Sequence, residues 1–145
     1  MIFTDLEIKH CTFEKCSLSI TNSLRKMTTF QRAHVYDNTV RGSCVVGPVV
    51  LEDVVMDGLK IHDRLVLSSP LLKHVTLKGE IGELRFGITA GVDRYDQEVE
   101  ALFSARRQGF YSNADWALDI SEGIFSDLEL EGIPATLLLQ LRFLS

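Results

Sequence analysis

The stretch L-E-I-K-H-C-T-F-E-K-C-S-L, Leu6 to Leu18, places its apolar residues as Leu6-x-Ile8, Cys11-x-Phe13 and Cys16-x-Leu18. Each pair follows the last by five residues. An α-helix repeats every ~3.6 residues and a flat strand every two, so neither explains the spacing. A chain that turns a corner every five residues can point two of the five inward. Four such faces close a square coil of about twenty residues, and coils stack through parallel backbone hydrogen bonds. The inward pair is the centre of each five, Ile8, Phe13 and Leu18, with the residue two before it, Leu6, Cys11 and Cys16. Small Cys beside large Phe or Leu packs small against large.

The period returns in L-D-I-S-E-G-I-F-S-D-L-E-L-E-G-I-P-A, with centres Ile120, Phe125, Leu130 and Ala135 and partners Leu118, Gly123, Leu128 and Ile133. The slots between them hold Asp119, Glu122, Asp127, Glu129 and Glu131, expected to face water. Between these blocks a looser frame recurs from Val35, Leu51, Leu72 and Phe125, ending in Gly42, Gly58, Gly79 and Gly132, where corners need a positive φ. The step from Leu51 to Leu72 is 21 residues and that from Val35 to Leu51 is 16, which predicts coils of unequal length. Cys44 to Leu51 reads as two buried strands around Gly47-Pro48.

These residues resemble the pentapeptide-repeat proteins, whose motif centres on Leu or Phe with a small residue two before. The resemblance covers Leu6–Leu18 and Leu118–Ala135 well and Val35–Phe86 in part, without long Ala-Asp-Leu-x-x runs. It implies a degenerate relative of a mostly bacterial family of right-handed, four-sided parallel β-helices. The expected fold is an all-β solenoid, one domain over 1–145, with coils over 1–90, a helix within 91–110, and a further coil and apolar tail over 111–145.

The helix is predicted from Val92, Tyr95, Val99, Leu102 and Phe103, which recur at three- and four-residue steps over 92–108. Acids lie early, Arg106 and Arg107 late, and Gly109 is expected to close it. It should lie along one side of the coils and cover an edge. The tail T-L-L-L-Q-L-R-F-L-S is strongly apolar. It fits a final strand, a cut-off reading frame, or a homodimer through this C-terminal end, and the homodimer is the expectation.

At 145 residues, 46% apolar and 24% charged, the chain can bury a core. The net charge of −5 argues against direct nucleic-acid binding. The opening M-I-F-T-D-L-E lacks a basic cluster and is not expected to be a signal peptide. No apolar run reaches the ~18 residues of a membrane span. Three cysteines without framework spacing fit a reducing cytoplasm.

Cys11 and Cys16 near His10 lack the spacing and second half of a zinc site, so no metal or other cofactor is expected, and all three cysteines are assigned to the core. His74 occupies the slot of Asp53 and Asp127 in sister repeats and is read as a turn residue. No nucleophile–base pair and no Gly-rich phosphate loop is present, so an enzyme is not expected.

Between Arg107 and Arg142 there is no Lys or Arg but six acids, leaving 14 acids against 15 bases elsewhere. The expected function is a non-catalytic protein-interaction or scaffold module. Its candidate partner-binding face is Asp119, Glu122, Asp127, Glu129 and Glu131, and its structural core includes Ile8, Phe13, Leu18, Ile120, Phe125 and Leu130. The resemblance suggests one alternative, an acidic DNA mimic that regulates a DNA-binding enzyme such as a topoisomerase. Another is a small enzyme or ligand binder with a pocket between helix and solenoid, using His62 or Tyr95.

Overall fold

The computed structural model describes residues 2–18, 27–87 and 97–139. Its strands fall into layers. The first holds β1 (Ile2–Thr4), β2 (Glu7–Lys9), β3 (Thr12–Glu14) and β4 (Ser17–Leu18). The second holds β5 (Thr28–Tyr36), β6 (Thr39–Arg41) and β7 (Ser43–Val46). The third holds β8 (Val49–Asp57), β9 (Lys60–Ile61) and β10 (Arg64–Ser68), and the fourth is one long bent strand, β11 (Leu71–Gly87). Helix α1 (Gln97–Tyr111) follows, then β12 (Leu118–Leu130), a 3-10 turn at Ala135–Leu137 and β13 (Leu138–Leu139). Every strand pair is parallel. They form a curled ten-stranded sheet and a three-stranded sheet, β3-β6-β9.

The register gives the layer length. Phe30 lies beside Leu51 and Leu51 beside Leu72, two returns of 21 residues. Phe3 to Phe30 takes 27 residues and Val75 to Leu118 takes 43, the second insertion containing α1. The 16-residue step from Val35 to Leu51 is not a layer: Val35 pairs with Met56, 21 residues on. The sequence frame had slipped by one five-residue face, because the faces of a layer resemble one another in pattern.

The corners explain the period of five. Asp5, His10 and Lys15 have positive φ, as do Arg32, Asp37 and Gly42 a layer below, then Asp53 and Gly58, then His74 and Gly79. Corner therefore stacks on corner. Asp tolerates this region through local hydrogen bonding, and Gly enters it without steric cost.

Inward positions follow the pair rule. Ala33, Val40, Cys44, Val49, Leu51, Val54, Leu59, Ile61, Leu72, Val75 and Leu77 are all buried. Ile8 is half-buried, and Phe13, Ile120, Phe125 and Leu130, also half-buried, pack against this core. The side chain of Leu18 lies outside the described residues.

Cys11 departs from its expected core place and is exposed. Asn38, one layer below, is fully buried; its Oδ1 accepts the Cys11 N–H at 2.8 Å and its amide donates to the Ile8 C=O at 3.1 Å. Cys16 does not face Cys11. Its Sγ lies 3.0 Å from that of Cys44 on the stacked β7. Burial, and then the neighbouring thiol, push the Cys16 thiol above its ordinary range.

The described part of helix α1 starts at Gln97, and residues 92–96 of the expected helix lie outside the described residues. It runs through Gly109 to Tyr111, where Ser112 closes it by donating its N–H to Gln108 and its Oγ–H to the Gly109 C=O. Acids do stand in its first turn, Glu98 and Glu100, but its last turn holds no base. The helix buries Phe103 and Tyr111. The Tyr111 hydroxyl accepts the Leu72 N–H at 3.1 Å and donates to the Pro70 C=O at 3.4 Å. A side chain thus serves β11 where, among the described residues, no further strand stacks on Leu71–Leu72. The strand partner resumes next door, where Val75 N–H reaches the Ala117 C=O at 3.0 Å.

The described part of the tail, β13, is a last strand on β12, with Leu118 beside Leu138. Residues 140–145 lie outside the described residues. Among the described residues no helix is long and apolar enough to cross a membrane.

Candidate interaction surface

β12 carries all but one of the predicted acids. Beyond Asp119 it pairs with β11 on one side only, among the described residues. Glu122, Asp127 and Glu129 on the strand, and Glu131 just past its end, are exposed. Asp119 is half-buried and occupied locally, its Oδ1 accepting both the N–H and the Oγ–H of Ser121.

The acids do not form an uncompensated row. Lys78 Nζ lies 3.5 Å from Glu122. Arg85 reaches Asp127 at 3.4 Å and Glu129 at 3.9 Å, with Glu83 4.0 Å from its Nε on the other side. Arg64 in turn meets Glu83 at 2.5 Å. Bases of one layer therefore face acids of the next. Such exposed pairs are screened by solvent and add little to stability.

Ile124 stands in the same strand and is 64% exposed, the most exposed large apolar side chain of β12. Its sequence slot faces outward between Glu122 and Ser126, and the two-in-five rule alone marks it as an apolar residue on the water side. Among the outward slots of this block the acids stand out by charge, whereas Ile124 is marked only by its place in the period.

A second charged row runs down a corner. Arg32 Nε lies 2.7 Å from Asp5, His74 Nδ1 lies 3.2 Å from Asp53, and His74 Nε2 lies 2.6 Å from Asp115. All except Asp115 are the left-handed corner residues of successive layers. The hydrogen bond to Asp115 is the main cause that raises the His74 pKa, and the same bond lowers that of Asp115. His74 is thus a turn residue, as its repeat slot predicted, with its ring tied on both sides and lying 4.8 Å from the Trp116 ring.

For the catalytic alternative the residues named are His62 and Tyr95. Tyr95 lies outside the described residues. His62 is exposed beside a shallow depression shared with Lys60, Glu80, Ile124 and Phe125. The groove between helix and strands is lined by Arg107, Gln108, Tyr111, Ile133 and Pro134, and its one phenol is engaged with Leu72 and Pro70. Among the described residues no three His, Cys, Asp or Glu side chains converge on a metal position. Compared with family models, curated proteins and solved structures, the chain gives no match.

Proposed function

We propose that this chain is a non-catalytic protein-interaction module, built as a right-handed β-helix of degenerate pentapeptide-like coils, that docks a basic partner segment on β12. The five-residue corner spacing and the 21-residue returns support the fold. The observation that carries the function is the exposed Ile124 on a strand edge flanked by Glu122, Asp127, Glu129 and Glu131. An extended peptide added to such an edge gains main-chain hydrogen bonds, an apolar contact and opposite charge. The DNA-mimic reading asks for an unbroken acidic row, and Arg85 and Lys78 interrupt it.

The test is capture from cell lysate at low and high salt by the purified chain, by Ile124→Lys, and by Asp127→Asn/Glu129→Gln/Glu131→Gln. A basic protein held by the wild type at low salt, and lost from both variants, supports the reading. Capture that neither variant diminishes overturns it.

A further inference from the structure

We propose that the open edge of the first layer docks a second copy of this chain, head to head, about a two-fold axis through Ile8. Among the described residues, β1, β2, β3 and β4 each pair on one side only. The ladder fixes which groups face outward. His34 N–H donates to the Leu6 C=O at 2.9 Å, and His10 N–H to the Tyr36 C=O at 3.1 Å. Those bonds turn the even-numbered groups of β2 toward β5, so the N–H and C=O of Glu7 and Lys9 point out of the stack. By the same alternation Asp5 N–H, on the Gln31 C=O, leaves Ile2 and Thr4 outward on β1. Thr39 N–H on Cys11 and Lys15 N–H on Arg41 leave Thr12 and Glu14 outward on β3.

Antiparallel strands exchange both hydrogen bonds at alternate facing pairs. A two-fold at Ile8 sets Glu7 against the second copy's Lys9, and Lys9 against its Glu7. The pairs that exchange backbone bonds then also carry opposite charges, the favourable cross-strand arrangement. The sequence around Ile8 continues the symmetry, with Phe3-Thr4 before it and Thr12-Phe13 after it. β1 of one copy therefore meets β3 of the other with Thr4 on Thr12 and Phe3 against Phe13. In a coil whose rise is spread evenly around its turn, β1 stands as far outward of β2 as β3 stands inward, and all these pairs close at one spacing.

The apolar surface favours the same occupant. Ile2 is 65% exposed and Phe3 38%. A cavity of about 290 Å³ is lined by Phe3, Leu6, Ile8 and Phe13 of the first layer and extends past Phe30 to Leu65 of the third. A small apolar ligand could fill it but would leave the edge hydrogen bonds of Glu7 and Lys9 to water. A second copy covers the cavity and pairs the edge together.

The experiment is sedimentation of the full chain at micromolar concentration, with Glu7→Lys, Lys9→Glu and the double exchange Glu7→Lys/Lys9→Glu. Circular dichroism melts check that each variant folds. The wild type should run at twice the chain mass of 16.3 kDa. Each single variant sets like charges opposite and should associate at least tenfold more weakly. The double exchange should restore the dimer, and the two single variants, when mixed, should pair with each other. A monomeric wild type overturns the proposal, including one that takes up the apolar dye 1-anilinonaphthalene-8-sulfonate. So does a mixture of folded single variants that stays apart.

Discussion

His74 Nε2 and Asp115 Oδ1 lie 2.6 Å apart across 41 positions of sequence, the last link of a charged corner that starts at Asp5. The hydrogen bond favours the charged form of each partner and so ties stability to pH. His74 has a raised pKa in the fold. Its contribution is fully present below the ordinary histidine value and is lost as pH rises through the raised one. Asp115 has a lowered pKa. Its contribution is present above the ordinary carboxylate value and is lost as pH falls through the lowered one. The pair should therefore stabilise most at weakly acidic pH. Melting curves at about pH 5 and about pH 8 should show a larger fall in Tm for the wild type than for His74→Gln. An equal fall in both would place the coupling elsewhere.

Tyr111 gives the Leu72 N–H the kind of acceptor that Ala117 of the neighbouring layer gives Val75. Phenylalanine at this position keeps the ring buried but leaves the Leu72 N–H without its acceptor. An orphaned buried donor costs about 1–3 kcal/mol. Tyr111→Phe should lower unfolding free energy by that amount in urea titration, and amide exchange at Leu72 should accelerate most. Unchanged protection at Leu72 would show that another group serves it.

Asn38 is fully buried and holds the first layer to the second through Cys11 and Ile8. Leu59, directly below in the stack, shows that leucine fits this column. Asn38→Leu should nevertheless destabilise by about 1–3 kcal/mol, since the Cys11 N–H and Ile8 C=O lose their partners. Asn38→Asp keeps the acceptor for Cys11 but loses the donor for Ile8 and brings a charge into an apolar wall, so it should cost more. Denaturant curves that rank leucine as the worse change would contradict the assigned amide orientation.

Much of the fold was legible because its signals are local. The two inward slots in five show in Leu6-x-Ile8, and the corner glycines Gly42, Gly58, Gly79 and Gly132 all have positive φ. Asp5, His10 and Lys15 turn the same way without announcing it, because polar residues also suit exposed strands. The face-by-face likeness that revealed the period also hid the register, so Val35 was matched to the wrong column. Relations that span layers left no local trace. Tyr111 reaching Leu72, Arg85 reaching Asp127, and His74 between Asp53 and Asp115 join residues remote in sequence. On the candidate surface the acids could be read from composition, but their compensation by Lys78 and Arg85 needed the strand pairing.

Two glycines should respond to alanine with opposite signs. Gly82 has φ +105, and a Cβ there would lie 2.5 Å from the Ile61 carbonyl oxygen, a backbone atom held by its own layer. The substitution adds backbone strain of order 1–3 kcal/mol to a clash that only movement of β9 relieves. Gly109 lies in α1 with nothing within 4 Å of a new Cβ. There alanine removes the entropy cost of glycine in a helix and should stabilise by roughly 0.5–1 kcal/mol. Thermal melts should show Gly82→Ala well below and Gly109→Ala above the wild type. If Gly82→Ala melts with the wild type, the β9–β11 approach at this corner is looser than its geometry states.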